Sequence, residues 1–518
     1  MRRRRRQATS EGDRVQSRRS FLRLSVGGAA AVAGLAGAAP AGAAPYGADW
    51  DGLRRHLDGD LARPGDPAYQ NARRLASAQY DVIRPAAVTY CASTRDVQRV
   101  IRFAGHHGIP VAVRSGGHSF GGFSTGRGIV LDVSRLDHLA TGGGTVVAGP
   151  GVQQVDALHR LAPRGLMLAG GVCPNVCLGG FVQGGGIGFL TRSQGLACDR
   201  LISATVVLAD GRVVRASRDE HPDLLWALRG GGGGNFGVVT RYELAPVHVT
   251  SMVNYTLTWP WERALEVIDA WQSWAVSAPG ELGASLGVLD VDAGRSQPQV
   301  TVYGAWFGRP DRLDVLLDAL ETGAGTPAVT RSVQQHPAYE AMMQWYGCAD
   351  LSADQCHRVG YAPDAMLPRT NFYATRNRMF ARTLPPRDLR RALDVFAADR
   401  RPGQFRLFYF ETLGGVSGAR RRTDTAYVHR DSVLVGGYAL SLTDPAFTAA
   451  DVAAGRRWLA DGLTALDPAS QHESYQNFID PELDDWRAAY YAENYRRLSD
   501  VKHRYDPHRF FRFAQGID

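Results

Sequence analysis

Arg114-Ser115-Gly116-Gly117-His118-Ser119-Phe120, read with Gly171-Val172-Cys173-Pro174-Asn175-Val176-Cys177-Leu178-Gly179-Gly180, decides the fold. The first stretch closes the β-type run Pro110 to Arg114. Its two glycines let the backbone approach a ligand closely and turn N–H groups toward anionic oxygens. Arg114 adds positive charge, which suits a pyrophosphate. Taken alone, the heptapeptide also reads as a tight glycine turn with a surface histidine. The second stretch continues into Gln183-Gly184-Gly185-Gly186-Ile187-Gly188, with Arg192 and Asp199 beyond it. These glycines lack the GxGxxG spacing that opens a helix in dinucleotide-binding units, so they suit a long backbone-lined wall. A third run, Leu224 to Arg229 followed by five glycines and Asn235-Phe236-Gly237-Val238-Val239, has apolar flanks that argue against a flexible linker.

Around these stretches, residues from about Val82 alternate short strands and helices. After about Val249 the texture shifts to Tyr-, Trp- and Val-rich strands alternating with Ala/Leu/Arg helices, which predicts a second, α+β domain. The chain of 518 residues, 44% hydrophobic and 21% charged, is long enough to bury two cores. A net charge of +8 invites a nucleic-acid reading, but the charge is concentrated at the start. Residues 1–43 hold nine arginines against Glu11 and Asp13, or +7, which leaves +1 for the rest. A general affinity for phosphate backbones is therefore not expected. The same segment places Ser17-Arg18-Arg19-Ser20-Phe21-Leu22-Arg23 before a weakly apolar run that ends at Ala41-Gly42-Ala43. It resembles a twin-arginine export signal, with a membrane anchor as the alternative. The six cysteines contain no CxxC and no four-ligand metal pattern. Cys348 and Cys356 are close enough in sequence to pair in an oxidising exterior, a question left open by sequence. Lys502, the only lysine, reads as coding bias.

Taken in order, the three glycine-rich stretches resemble the berberine-bridge-type FAD-linked oxidases of the vanillyl-alcohol-oxidase, or PCMH-type, superfamily. The tail adds Tyr475-Gln476-Asn477-Phe478, Trp486, Tyr490-Tyr491, Asn494 and Val501-Lys502. The resemblance implies an α+β fold: a PCMH-type FAD-binding domain in two parts, with an inserted substrate domain on an antiparallel sheet. The implied boundaries are a signal at 1–44, the FAD domain at 45–248, the substrate domain at 249–470 and a C-terminal segment at 471–518. It implies FAD joined covalently to both His118 and Cys173, with Cys177 as competitor for the second bond. Further FAD contacts are implied from Arg114, Ser115, Gly116, Gly117, Ser119, Val176, Gly180, Gly184, Gly185, Asp199, Val238, Tyr475 and Asn477. Asn175 and Phe181 depart from the common family residues and put local flavin hydrogen bonding in doubt.

Hydride removal needs a base within reach of the substrate hydroxyl. Tyr475 matches a family position for that base, provided something depresses its pKa, and Glu411 is the runner-up. His429 is read as structural. Val176 is a small residue at a place where family members with valine tend to admit oxygen. The expected function is thus an exported oxidase acting on a carbohydrate or other alcohol and reducing oxygen to peroxide. The alternatives are a dehydrogenase, a ring-closing or C–N-oxidising enzyme, and a flavin-bearing binding protein without turnover. No metal is expected. The twin-arginine translocase is the expected partner in export, and no stable membrane insertion is expected after signal cleavage.

Overall fold

The computed structural model describes residues 48–518, so the export-type segment 1–44 lies outside the described residues. The first strands are β1 (Asp60–Ala62), β2 (Ala87–Tyr90), β3 (Val111–Arg114) and β4 (Ile129–Asp132), in sheet order β1-β2-β4-β3. The last three are mutually parallel. Helix Thr94–His106 carries the chain from β2 past β4 to β3, and the 115–128 loop joins β3 to its parallel neighbour β4. Ser93 caps that helix by accepting from the Asp96 N–H, and Val97, Val100, Ile101 and Ala104 give it one buried apolar stripe. Both faces of β4 are buried, as a covered parallel strand requires.

Next come β5 (Leu139–Gly142), β6 (Thr145–Ala148), β7 (Leu166–Met167), β8 (Leu201–Val207), β9 (Val213–Ala216), β10 (Val238–Leu244) and β11 (Val247–His248). The order β5-β6-β10-β8-β9 makes an antiparallel second sheet, and β7 pairs with β11. The chain end returns to this second sheet. Trp486, Tyr490, Tyr491 and Leu498 share its core with Trp226, Val206 and Tyr242. Lys502 turns out to be structural: its buried ammonium donates to the Asn235 and Phe511 carbonyls, both at 2.6 Å, and to Asp506 at 2.7 Å. The glycine run before Asn235 is thereby fastened to the C-terminal helix, which a linker would not be.

The third sheet holds β12 (Ser251–Pro260), β13 (Leu282–Asp290), β14 (Gln299–Trp306), β15 (Thr330–Pro337), β16 (Phe372–Phe380), β17 (Gln404–Thr412) and β18 (Leu434–Leu442). Its order is β15-β12-β14-β13-β17-β18-β16, antiparallel throughout. Helices cover one face around Trp271, Phe396, Phe408, Phe410, Tyr438 and Trp458. Each such side chain contributes roughly 1.5–3 kcal/mol when fully buried. The other face looks onto the cavity described below. Cys348 and Cys356, left open by sequence, form a disulfide with Cα atoms 5.8 Å apart. No helix among the described residues is long and apolar enough to cross a membrane.

Candidate active site

A cavity of about 910 Å³ opens between the glycine-rich loops and the free face of the third sheet. The loop after β3 carries His118 into it, and Gly117 supplies the left-handed turn (φ +67°) that aims the histidine inward. The loop after β7 brings Cys173 and Val176. These loops interlock. A Cβ on Gly116 would lie 2.9 Å from Cys177 Sγ, and one on Gly179 would lie 2.7 Å from Ser115 Oγ, so glycine at both places lets the walls close.

His118 is largely enclosed, and its Nδ1 has no hydrogen-bond partner among the described residues. Burial, then the nearby Arg358 charge, holds its pKa down at about 4, so the imidazole is neutral at pH 7 with a lone pair available. Cys173 is accessible from the cavity, but protein walls that cavity. Burial, then Glu411, pushes its thiol up to about 11. Cys177 also lines the cavity, yet its buried thiol donates to the Gly151 carbonyl at 3.2 Å. Of the two sulfurs, Cys173 is the one left free to bond.

Ser115, Gly116, Gly117, Ser119, Gly180, Tyr475 and Asn477 line the same cavity. Val176 lines it too, and the other expected contacts do not. Arg114 forms a buried ion pair with Asp132 on the neighbouring strand and donates to the Ala72 carbonyl at 2.6 Å, so it is not placed to offer charge to a ligand. Asp199 is held by Arg430 through two bonds of 2.7 and 2.8 Å. Val238 packs in the core beneath β10. Gly184 and Gly185 seat the C-terminal tail: a Cβ on Gly184 would stand 1.9 Å from Asn477 Oδ1, and one on Gly185 3.1 Å from the Tyr475 ring. His429 bridges Glu473 (2.7 Å) and Gln476 (3.2 Å) with both ring nitrogens, in keeping with a structural role.

The two candidate bases differ sharply. The Tyr475 hydroxyl accepts from the Gly186 N–H at 2.8 Å and from Asn477 Nδ2 at 2.9 Å. Burial outweighs these donors and pushes its pKa above the usual phenol value. The depressed phenol expected from sequence is thus not found, because the neighbours of the ring are Phe478, Tyr427 and backbone rather than an arginine. Glu411 points from β17 into the cavity, partly exposed, with no hydrogen bond or ion pair among the described residues. Burial raises its pKa from 4.5 to about 7. Tyr303, Tyr373 and Tyr409 stand near it, each with its phenol pushed up chiefly by burial and further by the Glu411 charge. Sequence reasoning missed these three tyrosines and Arg358. For Tyr409 a signal existed, since it lies two residues from Glu411 on one strand and so shares its face.

Comparison with known proteins agrees with this site. Residues 85–217 match the FAD binding domain family and residues 474–518 match the family described as berberine and berberine like. An uncharacterised FAD-linked oxidoreductase of Bacillus subtilis is 29% identical over 471 residues, covering 89% of this chain and 97% of that protein. The glucooligosaccharide oxidase of Sarocladium strictum is 28% identical over 453 residues, covering 82% of this chain and 86% of its own length. A solved glucooligosaccharide oxidase from Acremonium strictum, whose FAD is described as 6-S-cysteinyl, 8α-N1-histidyl, superposes with a TM-score of 0.81 at 25% identity, covering 90% of this chain and 98% of that one. Site and comparisons together define an FAD-linked oxidoreductase that carries an FAD binding domain and a berberine-like C-terminal segment. The site suits that cofactor: a glycine-lined cavity, the unpartnered His118 Nδ1 and the free Cys173 thiol all face the space it would fill.

Proposed function

We propose that the protein is an exported oxidase that holds FAD through both His118 and Cys173, takes a hydride from an alcohol-type carbon and passes two electrons to oxygen as hydrogen peroxide. The observation that carries this reading is Glu411, a carboxylate without a partner among the described residues, facing the cavity beside Cys173, with its pKa raised to about 7. Bound FAD supplies the hydride acceptor. Everything else is done by side chains. Glu411 takes the hydroxyl proton as the hydride leaves, and a base with a pKa near the working pH suits that task. The Tyr303, Tyr373 and Tyr409 hydroxyls stay protonated and orient the substrate oxygen. Tyr475 positions the loop at Gly186 and the Asn477 amide. The His118 nitrogen and the Cys173 sulfur would hold the flavin, each giving up its hydrogen, with oxygen as the two-electron oxidant for each bond.

Supporting features are of three kinds. Val176 lines the cavity with a small side chain, which favours oxygen as acceptor. The Cys348–Cys356 disulfide suits an oxidising compartment, in line with the twin-arginine-type segment at 1–44. The oligosaccharide oxidase among the relatives favours a carbohydrate or similar alcohol. The test is a panel of mono- and oligosaccharides, alcohols and aromatic metabolites given to the holoprotein. An active compound bleaches the flavin without oxygen and yields one peroxide per turnover with it. Bleaching without peroxide identifies a dehydrogenase, and a flavin that no compound bleaches removes the proposal.

A further inference from the structure

Strand β17 turns one row of side chains to the cavity: Glu411, Tyr409, Leu407 and Phe405, every second residue. The intervening Arg406, Phe408 and Phe410 are at most 1% exposed and point into the helical layer. Register extends each member of the row sideways across the sheet. Glu411 lies opposite Ser285, which lies opposite Tyr303. Tyr409 lies between Gly287 and Gly437, and its ring is 6% exposed, edge-on to Phe478, with its hydroxyl beside Thr375 Oγ1. Leu407 lies between Leu289 and Ala439. Phe405 lies opposite Ser441, which is paired in turn with Tyr373.

The wall therefore changes character along its length. It is polar at Glu411, aromatic at Tyr409, and apolar at Leu407 and Phe405, and none of these positions carries a positive charge. Leu407 stays partly exposed although the other side of the same strand is fully buried. Apolar surface left open inside a cavity marks where an apolar part of a ligand rests. Six residues at about 3.4 Å each give about 20 Å of such wall.

We infer that the substrate is an uncharged, two-ended molecule: a hydroxyl-bearing polar end at Glu411 and an apolar body laid along β17 over Tyr409 to Leu407. Only its orientation rests on the reading of Glu411 as proton acceptor. An anionic end at Glu411 is disfavoured, because the carboxylate repels it and the arginines that line the cavity, Arg127, Arg192, Arg358 and Arg512, come from other elements.

The experiment is equilibrium binding to the holoprotein without oxygen, read by the change in flavin absorbance, so that affinity is measured whether or not turnover occurs. Three probes are used: benzyl alcohol, 4-butylbenzyl alcohol and 4-(hydroxymethyl)benzoate. A fully buried methylene multiplies affinity about fourfold, so four half-buried ones make the butyl probe on the order of tenfold tighter than benzyl alcohol. The carboxylate probe binds more weakly than benzyl alcohol. Leu407→Asp and the milder Leu407→Ser each remove most of the butyl advantage and leave the benzyl alcohol Kd within about twofold, with folding checked by Tm. Equal affinities for the two neutral probes, tighter binding of the carboxylate, no measurable binding of the butyl probe, or equal loss of both neutral probes in Leu407→Ser overturns the inference. A holoprotein that shows the butyl preference but is never bleached by any compound sinks the oxidase reading and leaves this one standing.

Discussion

Glu411→Gln is expected to change two independent properties of the protein, and both follow from one number. Burial lifts the carboxyl from 4.5 to about 7. The unfolded chain ionises near the lower value, whereas the folded protein keeps its proton until the higher one. Stability from this group is therefore complete below about pH 4.5 and falls as pH rises, levelling off above about pH 7. The shift corresponds to a cost of up to about 3 kcal/mol for the ionised carboxylate at pH 8, an upper bound because the group keeps some contact with the cavity. Glutamine has the same shape and no charge to bury, so the variant is expected to match the wild type near pH 4.5 and to exceed it at pH 8. Urea unfolding at the two pH values measures this. The second property is catalytic. Anaerobic flavin reduction in the wild type rises with pH to a plateau through an apparent pKa near 7. Glu411→Gln is expected to be slower by about 10²- to 10⁴-fold and flat over the same range. Stopped-flow reduction of both proteins by one bleaching substrate decides it. A variant that reduces at the wild-type rate with an unchanged pH profile refutes the assignment of the base.

Three further perturbations discriminate among the roles proposed. Tyr475→Phe leaves the Gly186 N–H and the Asn477 amide without their shared acceptor, and is expected to lower stability by about 1–3 kcal/mol. Its flavin reduction should keep the wild-type pH dependence, and a flattened profile would return the base to Tyr475. Asp199→Asn breaks a buried two-point pair with Arg430 and is expected to cost about 3–5 kcal/mol in denaturant unfolding without releasing flavin. Flavin loss at unchanged stability would make Asp199 a cofactor ligand after all. Replacing Arg18 and Arg19 together by lysine is expected to strand the holoprotein in the cytoplasm, as an export assay in cell fractions would show.

Local stretches of sequence revealed the loops and not their partners. Gly116, Gly117 and His118 are contiguous, and a turn that must approach a ligand writes its glycines next to the residue it presents. Cys173 was legible for the same reason. Arg114 was misplaced because its partner, Asp132, comes from a parallel strand on the far side of a crossover, and the pattern around Arg114 does not announce that pairing. Gly184 and Gly185 were taken for cofactor contacts, whereas the tail near residue 477 packs on them, almost 300 residues later in the chain. The tyrosines around Glu411 come from β14, β16 and β17, and only the register of a non-local antiparallel sheet brings them together. Fold class was accessible because alternating strand and helix patterns are local. The substrate wall was not, because it is a property of pairing.

The reading proposed for the site stands or falls with one FAD fastened at both His118 and Cys173. It is tested most directly by precipitating the holoprotein with acid, digesting it and mapping the flavin-bearing peptides by mass. The precipitate is expected to stay yellow, with a single FAD joining the peptide containing His118 to the peptide containing Cys173. Free FAD in the supernatant, or a bond to Cys177 in place of Cys173, would contradict it.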